Sequence, residues 1–288
     1  MQAAPEMRQT ALARATFDRI AALAAREAGL MIPPTKLAMV QSRVSRRMRA
    51  IALTDFDAYV DLVEREDGAS ERRQMISVLT TNVSHFFREI HHFEMLRNEI
   101  LPSLLARAAS GGRVRIWSAG CSSGQEPCSI AMEILRLDPS AGRRDIRILA
   151  SDIDPVILKA AREATYGGDA MKGVKPADRE RFFERVGDMF RARPALRELV
   201  VVRELNLLAD WPMRGRFDVI FCRNVVIYFH EETQRKLWPR FREALAPGGT
   251  IFVGHSERIP EPEKLGLRGL GVTAYGLDAP GHQPSNRR

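Results

Sequence analysis

Apolar positions recur at helical spacing through the first third of the chain and then change rhythm. Phe17, Ile20, Ala21, Leu23 and Ala24 share one helical face, and Leu37, Val40, Val44, Met48 and Ile51 share another. Thr54-Asp55-Phe56-Asp57 has the form of a helix start, and the helix it opens continues through Tyr59, Leu62 and Val63. No two-residue alternation appears between about residues 11 and 107, so this stretch predicts a small helical domain. Gly111-Gly112 breaks the pattern. Beyond it, apolar runs predict strands at 114–118, 146–151, 199–202, 219–222 and 250–254. Helices are expected between them at 126–137, 155–164 and 230–245, the first with Pro127 in its opening turn and the last closed by Pro247-Gly248-Gly249. Strands alternating with helices predict an α/β domain with a doubly wound, mostly parallel sheet. Residues 167–197 fit this rhythm poorly and read as an insertion. The expected organisation is a helical domain over 1–85, a linker helix over 86–110, the α/β domain over 111–278 and a disordered tail over 279–288.

Composition adds bounds. The chain has 288 residues, 45% of them hydrophobic, but no apolar run approaches the roughly 20 residues a membrane span needs. Glu6 and Arg8 interrupt the N-terminus, which has no signal-peptide core, so a cytoplasmic protein is expected. Cys121, Cys128 and Cys222 match no zinc spacing and read as small core residues. The net charge of +8 reads either as solubility with a diffuse positive field or as a sign of an acidic partner, whether nucleic acid, membrane surface or protein, and composition does not choose between these. Part of the charge is concentrated. Residues 36–51 carry Lys36, Arg43, Arg46, Arg47 and Arg49 and no acid. On a helical wheel Arg46 lies opposite the apolar face, with Arg43 and Arg47 together on one flank. In isolation this reads as a solvated basic face.

The chemistry begins at Ala119-Gly120-Cys121-Ser122-Ser123-Gly124, a glycine turn after the first strand. Such turns aim backbone N–H groups at a ligand. The spacing is neither G-x-G-x-x-G nor a P-loop. Asp152, ending the second strand, has the position of a carboxylate that accepts ribose hydroxyls. Its distance from the turn exceeds the usual dinucleotide gap of about 20 residues, which disfavours NAD but not another adenosine cofactor. Glu126 by itself is an ordinary helix-start charge. Asn206-Leu207 offers an amide and an apolar side chain to frame an adenine, or an ordinary loop cap. Residues 217–224 read as a buried strand emerging into the polar turn Arg223-Asn224, and Tyr228 by itself as a core aromatic. His91-His92 reads as surface or interdomain, and no metal site is expected.

Together these segments resemble the chemotaxis receptor methyltransferase (CheR) family. The resemblance rests on Thr80–Glu89, Ser118–Met132, Ala150–Asp154, Asn206-Leu207, Phe217–Phe229 and Gly254-His255-Ser256-Glu257, which follow the family's order. It implies a monomeric enzyme that moves a methyl group from S-adenosylmethionine to glutamates on the cytoplasmic coiled coil of chemotaxis receptors, with no nucleic-acid partner and no membrane insertion. It further implies that Asn82, Ser84 and Arg88 contact the cofactor from the linker, and that Gly120, Glu126, Asp152, Asn206, Leu207, Arg223 and Asn224 complete the site. Arg88 and Tyr228 would sit closest to the transferred methyl, and the insertion would be a small β-subdomain. The chain departs from the family pattern at Gln125 and Cys128, where an acid and an aromatic are expected, and at Ser84, where threonine is common.

The implied reaction suits these residues. A glutamate is already ionised at neutral pH, with a reference pKa of about 4.3, so no general base is required. Arg88 would steer the carboxylate and Tyr228 would donate a geometry-fixing hydrogen bond. Arg43, Arg46 and Arg47 would dock an acidic helical substrate. Two other readings compete: a methyltransferase for RNA or a small molecule, and a cofactor-binding module without catalysis. Against base methylation, Arg223-Asn224-Val225-Val226 stands where an Asn/Asp-Pro-Pro-aromatic string is usual.

Overall fold

The computed structural model describes residues 11–278, so the expected disordered tail lies outside the described residues. The chain divides into two compact units, Met1–Thr81 with Tyr228–His230, and Asn82–Ile227 with Glu231–Arg288.

The first unit is helical: α1 (Arg14–Ala28), α2 (Leu37–Ala50), α3 (Phe56–Glu64) and α4 (Ala69–Leu79). Asp55 caps α3 by accepting the Ala58 N–H at 2.8 Å, as the Thr54–Asp57 signal predicts. Gly29, in the left-handed region, ends α1. The apolar faces meet in a core that includes Phe17, Ile20, Leu23, Val40, Val44, Met48, Tyr59, Val63 and Met75, all at most 1% exposed. Glu71 on α4 ties three helices together. It accepts two bonds from Arg47 at 2.6 and 2.8 Å and one from the Tyr59 hydroxyl at 2.9 Å.

The second unit is the doubly wound α/β domain. It opens with α5 (Ile90–Met95), a π-helical turn at Leu96–Ile100 and α6 (Leu101–Ala109). Then follow β1 (Val114–Ala119), α7 (Gln125–Leu137), β2 (Ile146–Asp152) and α8 (Pro155–Glu163). The insertion holds β3 (Thr165–Gly167), α9 (Pro176–Phe182), β4 (Phe183–Val186), β5 (Met189–Ala192) and the single turn α10 (Pro194–Arg197). The chain finishes with β6 (Val200–Glu204), β7 (Phe217–Cys222), α11 (Glu231–Ala244), β8 (Leu245–Val253), β9 (Leu267–Gly271) and β10 (Ala274–Leu277).

The main sheet has the order β6-β2-β1-β7-β8-β10-β9. The five strands from β6 to β8 run parallel, and β10 and β9 add antiparallel. From β1 the chain winds outward through β2 to β6. It then returns to the opposite side through β7 and β8. The order therefore reverses between β1 and β7, and ligands of such sheets bind at the carboxyl ends of the strands there. Ile116 on β1 packs in the cluster with α6 and α7, whereas its neighbour Trp117 lies 5.4 Å from the Phe241 ring of α11, so both faces are covered. The insertion forms a separate antiparallel sheet of order β3-β5-β4.

Candidate active site

The glycine turn occupies the carboxyl end of β1. Gly120 (φ +82°) and Gly124 (φ +91°) both lie in the left-handed region, and a Cβ at Gly120 would come within 2.2 Å of Val225. The turn is hung from β2: the Gly120 and Cys121 N–H groups both donate to the Ser151 carbonyl, at 2.8 and 2.9 Å. The Ser122 N–H then donates to Asp152 Oδ2 at 2.9 Å, and the Asp154 N–H to Asp152 Oδ1 at 3.1 Å. Each carboxylate oxygen keeps a further lone pair. Burial pushes the Asp152 carboxyl up from its ordinary value, against the pull of those N–H groups. Beside it, the Leu205 N–H donates to the Asp152 carbonyl at 2.9 Å, which sets the Asn206-Leu207 loop next to the carboxylate.

The segment from Asn82 to Arg88 is laced onto this turn. Asn82 Nδ2 donates to Asp154 Oδ2 at 2.7 Å, and the Ser122 hydroxyl donates to the Asn82 carbonyl at 3.0 Å. The Phe87 N–H reaches the Ser129 hydroxyl at 3.1 Å. Phe87 and Glu89 both have positive φ (54° and 57°), so the chain kinks on either side of Arg88. The Arg88 guanidinium donates to the Val83 carbonyl at 3.2 Å. Ser84 lies half-buried on this segment.

At the carboxyl end of β7, Arg223 is 2% exposed along its side chain and bridges two acids. Its Nη1 donates to Glu126 Oε2 at 3.1 Å, its Nη2 lies 3.4 Å from Glu89 Oε2, and Nη2 also donates to the Arg88 carbonyl. The Ser118 hydroxyl donates to the other oxygen of Glu126 at 2.6 Å. Burial pushes Glu126 up against these partners. Burial acts upward on Glu89 as well, but Arg223 and His255 outweigh it and hold its carboxyl below the ordinary value. Burial together with the Arg223 charge pushes His92 down to about 4, so this ring is neutral at pH 7. Two carboxylates therefore share one buried guanidinium in this cluster.

The turn after Arg223 is held by Glu257. This carboxylate accepts the N–H groups of Asn224, Val225 and Val226 at 2.8–2.9 Å, that of Ile227 at 3.3 Å and that of Gly254 at 2.5 Å. Asn224 takes a left-handed conformation (φ 59°), and Tyr228 closes the 3-10 turn Val226–Tyr228 that follows.

A site with this cradle, carboxylate and buried ion-pair cluster has a family. Residues 82–272 match the model described as CheR methyltransferase, SAM binding domain, and residues 15–80 match the one described as CheR methyltransferase, all-alpha domain. This chain belongs to the CheR methyltransferase family. A probable chemotaxis protein methyltransferase of Rhizobium etli is 49% identical over 253 residues, covering 86% of this chain and 94% of the relative. The chemotaxis protein methyltransferase of Escherichia coli K12 is 40% identical over 275 residues, covering 93% of each. Chemotaxis protein methyltransferase 2 of Pseudomonas aeruginosa is 38% identical, covering 91% of this chain and 92% of the relative.

Membership makes this CheR chain an S-adenosylmethionine-dependent methyltransferase, and its residues fit that molecule. Asp152 offers acceptors for ribose hydroxyls. Asn224 Nδ2 is buried and finds no acceptor among the described residues, as a donor meant for a ligand would. Asn82, Ser84, Arg88, Gly120, Glu126, Asp152, Asn206, Leu207, Arg223 and Asn224 all belong to the second unit, while Tyr228 and the basic residues of α2 belong to the first.

Two expectations need correction. Of the pair expected at the surface or between domains, His91 is exposed but His92 is buried within the second unit: it is 1% exposed, and its Nε2 lies 2.9 Å from the Thr273 hydroxyl and 3.1 Å from the Val272 carbonyl. Nor do the three α2 arginines face outward together. Arg43 donates to the carbonyls of Val78, Leu79 and Thr80, which close α4, and Arg47 is bound to Glu71. Arg46 alone of the three is exposed. Sequence reasoning missed the roles of Glu89 and Glu257. Their one signal was membership of the matched strings Thr80–Glu89 and Gly254–Glu257, without a role attached. Cys121, Cys128 and Cys222 are buried as expected. Among the described residues, Glu89, His91 and His92 bring ligand atoms within 4.8 Å of one another, but Arg223 beside Glu89 opposes a cation there.

Proposed function

We propose that this protein transfers the methyl group of S-adenosylmethionine to glutamate side chains on the cytoplasmic coiled coil of chemotaxis receptors, leaving glutamate methyl esters and S-adenosylhomocysteine for sensory adaptation. One observation carries the reading: chemotaxis methyltransferases match both the helical and the α/β units, over most of each chain. The protein works in the cytoplasm as a monomer, and its acceptor is a protein rather than a nucleic acid. Among the described residues no helix is long and apolar enough to cross a membrane.

When bound, the cofactor would supply a sulfonium methyl open to direct attack by an ionised carboxylate, the new O–C bond replacing the C–S bond, whose electron pair would leave with sulfur as S-adenosylhomocysteine. No proton is transferred. The residues of the chain position and desolvate. Asp152 holds the ribose hydroxyls, Asn206 and Leu207 frame the adenine, and Glu126, Arg223 and Asn224 hold the amino-acid end. Asn82 and Ser84 close the site from the linker segment. Arg88 leaves the Val83 carbonyl to steer the incoming carboxylate, and Tyr228 donates a hydrogen bond near the methyl. The outward face of α2 at Arg46 receives the acidic receptor helix.

The test is a labelled-methyl assay offering receptor fragments, RNA or no acceptor. Label should enter the receptor fragment alone and leave as methanol under mild base, which identifies a carboxyl ester. Base-stable label, or label in RNA, refutes the proposal. Arg88→Ala and Tyr228→Phe should each lower kcat, and full methyl transfer by both at saturating substrate removes their assigned roles.

A further inference from the structure

The loop that carries Asn206 and Leu207 has little structure of its own. Residues 205–216 join β6 to β7, strands on opposite sides of the switch point, without a helix or strand between them. Parallel strands are usually joined through a packed crossover helix. The loop is tied to β2 at its start by the Leu205 N–H on the Asp152 carbonyl, and then bonds locally, from the Leu208 N–H to Asn206 Oδ1 at 2.9 Å and from the Ala209 N–H to the Asn206 carbonyl at 3.1 Å. Yet an adenine frame must be held to a fraction of an ångström to be useful.

A further constraint comes from α11. The Arg240 guanidinium forks onto two carbonyls of the loop, Nη1 donating to Leu207 at 2.7 Å and Nη2 to Ala209 at 2.5 Å. Its plane also lies over the Trp211 ring, with the central carbon 4.3 Å from the centroid. Trp211 Nε1 donates to the same Leu207 carbonyl at 3.2 Å. The Trp211 ring is packed edge-on against Trp117 of β1 at 4.8 Å and lies 5.0 Å from Phe241. Leu207 is thus referenced to the central strand through Trp211 and to α11 through Arg240. A fixed fork that also stacks is a task for arginine, because lysine offers a single point of charge and no plane.

We infer that Arg240 is a positioning residue for the adenosine end of the cofactor site, acting through the Leu207 and Ala209 carbonyls with Trp211 as the plate it rests on. The inference rests on the reading of Asn206 and Leu207 as the adenine frame. Arg240 touches neither cofactor nor acceptor, so its loss should weaken cofactor binding and spare the methyl-transfer step.

The experiment measures the Kd for S-adenosylhomocysteine by calorimetry, together with KM for S-adenosylmethionine and kcat, in the full chain. Arg240→Ala should raise Kd and KM about tenfold, as expected for losing one charge-assisted hydrogen bond's worth of affinity, with kcat at saturation within about twofold. Arg240→Lys, which keeps the charge and stem and covers the case in which the alanine variant fails to fold, should recover only part of the affinity. Wild-type tryptophan emission should change on adding S-adenosylhomocysteine, and Trp211→Phe should remove most of that change. Asp152→Ala is measured in parallel. Weak binding by Asp152→Ala with wild-type binding by Arg240→Ala or Arg240→Lys overturns the inference and leaves the cofactor site standing. Unchanged binding in all three variants overturns the site assignment, and the inference with it. A fall in kcat at unchanged KM assigns Arg240 a purely structural role and also overturns it.

Discussion

Two buried acids and one buried histidine decide how well the site is held. Glu257 receives five backbone N–H groups from residues 224–227 and 254, and so fixes the turn between Arg223 and Tyr228. Glu257→Gln replaces one acceptor oxygen by a donor amide and leaves some of these N–H groups unmatched. It should cost about 2–3 kcal/mol of stability and weaken S-adenosylhomocysteine binding roughly tenfold, measured by urea unfolding and calorimetry. His92 carries a pH dependence. Its folded pKa of about 4 lies below the unfolded value near 6.5, so the folded state favours the neutral ring. That contribution is fully present above pH 6.5 and is lost as pH falls toward 4. His85, whose pKa burial also lowers, acts in the same direction. Between pH 6.5 and 5, where most carboxylates stay ionised, unfolding free energy should fall in the wild type and fall less in His92→Asn. Equal slopes would remove His92 from the account. Glu89 shares Arg223 with Glu126, so it belongs to the same charge cluster although nothing in its sequence position indicates the partner.

At the scale of elements, legibility follows the range of the interaction. The parallel strands were readable because a sheet covered on both faces writes them as short continuous apolar runs, as in Val219–Cys222. β9 and β10 were not, because Leu267–Gly271 is glycine-broken and half exposed and gains its place only by pairing with β10. β8 begins at Leu245 rather than Thr250 because it takes up a register shift opposite Phe217–Val219. The glycine turn was visible locally, but the Glu257 clamp joins residues some 30 positions apart and has no local pattern. Helix α2 shows the same limit. Its periodicity separates apolar from basic faces, yet only the fold shows that Arg43 closes α4 and Arg47 ties Glu71 to Tyr59. Arg47→Ala should therefore lower the stability of the helical unit by about 1–3 kcal/mol, read by thermal unfolding. Arg46→Glu should leave unfolding unchanged and raise the receptor KM. The opposite pattern would make Arg46 structural and Arg47 the docking residue.

For the whole molecule, the position of the charge matters more than its sum. Residues 1–81 hold 12 Lys and Arg against 10 Asp and Glu, a net of only +2 out of +8. Within that unit the signs are segregated: α2 carries four arginines, whereas α3 and the turn after it supply Asp57, Asp61, Glu64, Glu66 and Asp67. Several of those acids are held by Arg19, which reaches Asp61 at 2.7 Å and Glu64 at 2.6 Å, so they do not neutralise α2. On the proposed reading an acidic helical partner would meet the exposed Arg46 of α2, since Arg43 and Arg47 are held by α4, and the attraction would be screened over a Debye length of about 10 Å at 0.1 M salt and about 30 Å at 0.01 M. The proposed cofactor site, by contrast, would use Glu126 and Arg223, which lie with Glu89 in a cluster of low exposure that salt reaches poorly. Raising ionic strength from about 0.01 to 0.3 M should then raise the receptor KM several-fold while the KM for S-adenosylmethionine stays within about twofold. Arg46→Glu should start from a higher receptor KM and show a flatter salt curve. If both KM values rise together, the face of α2 at Arg46 is not the docking surface and the salt acts on the α/β unit, where +6 of the charge resides.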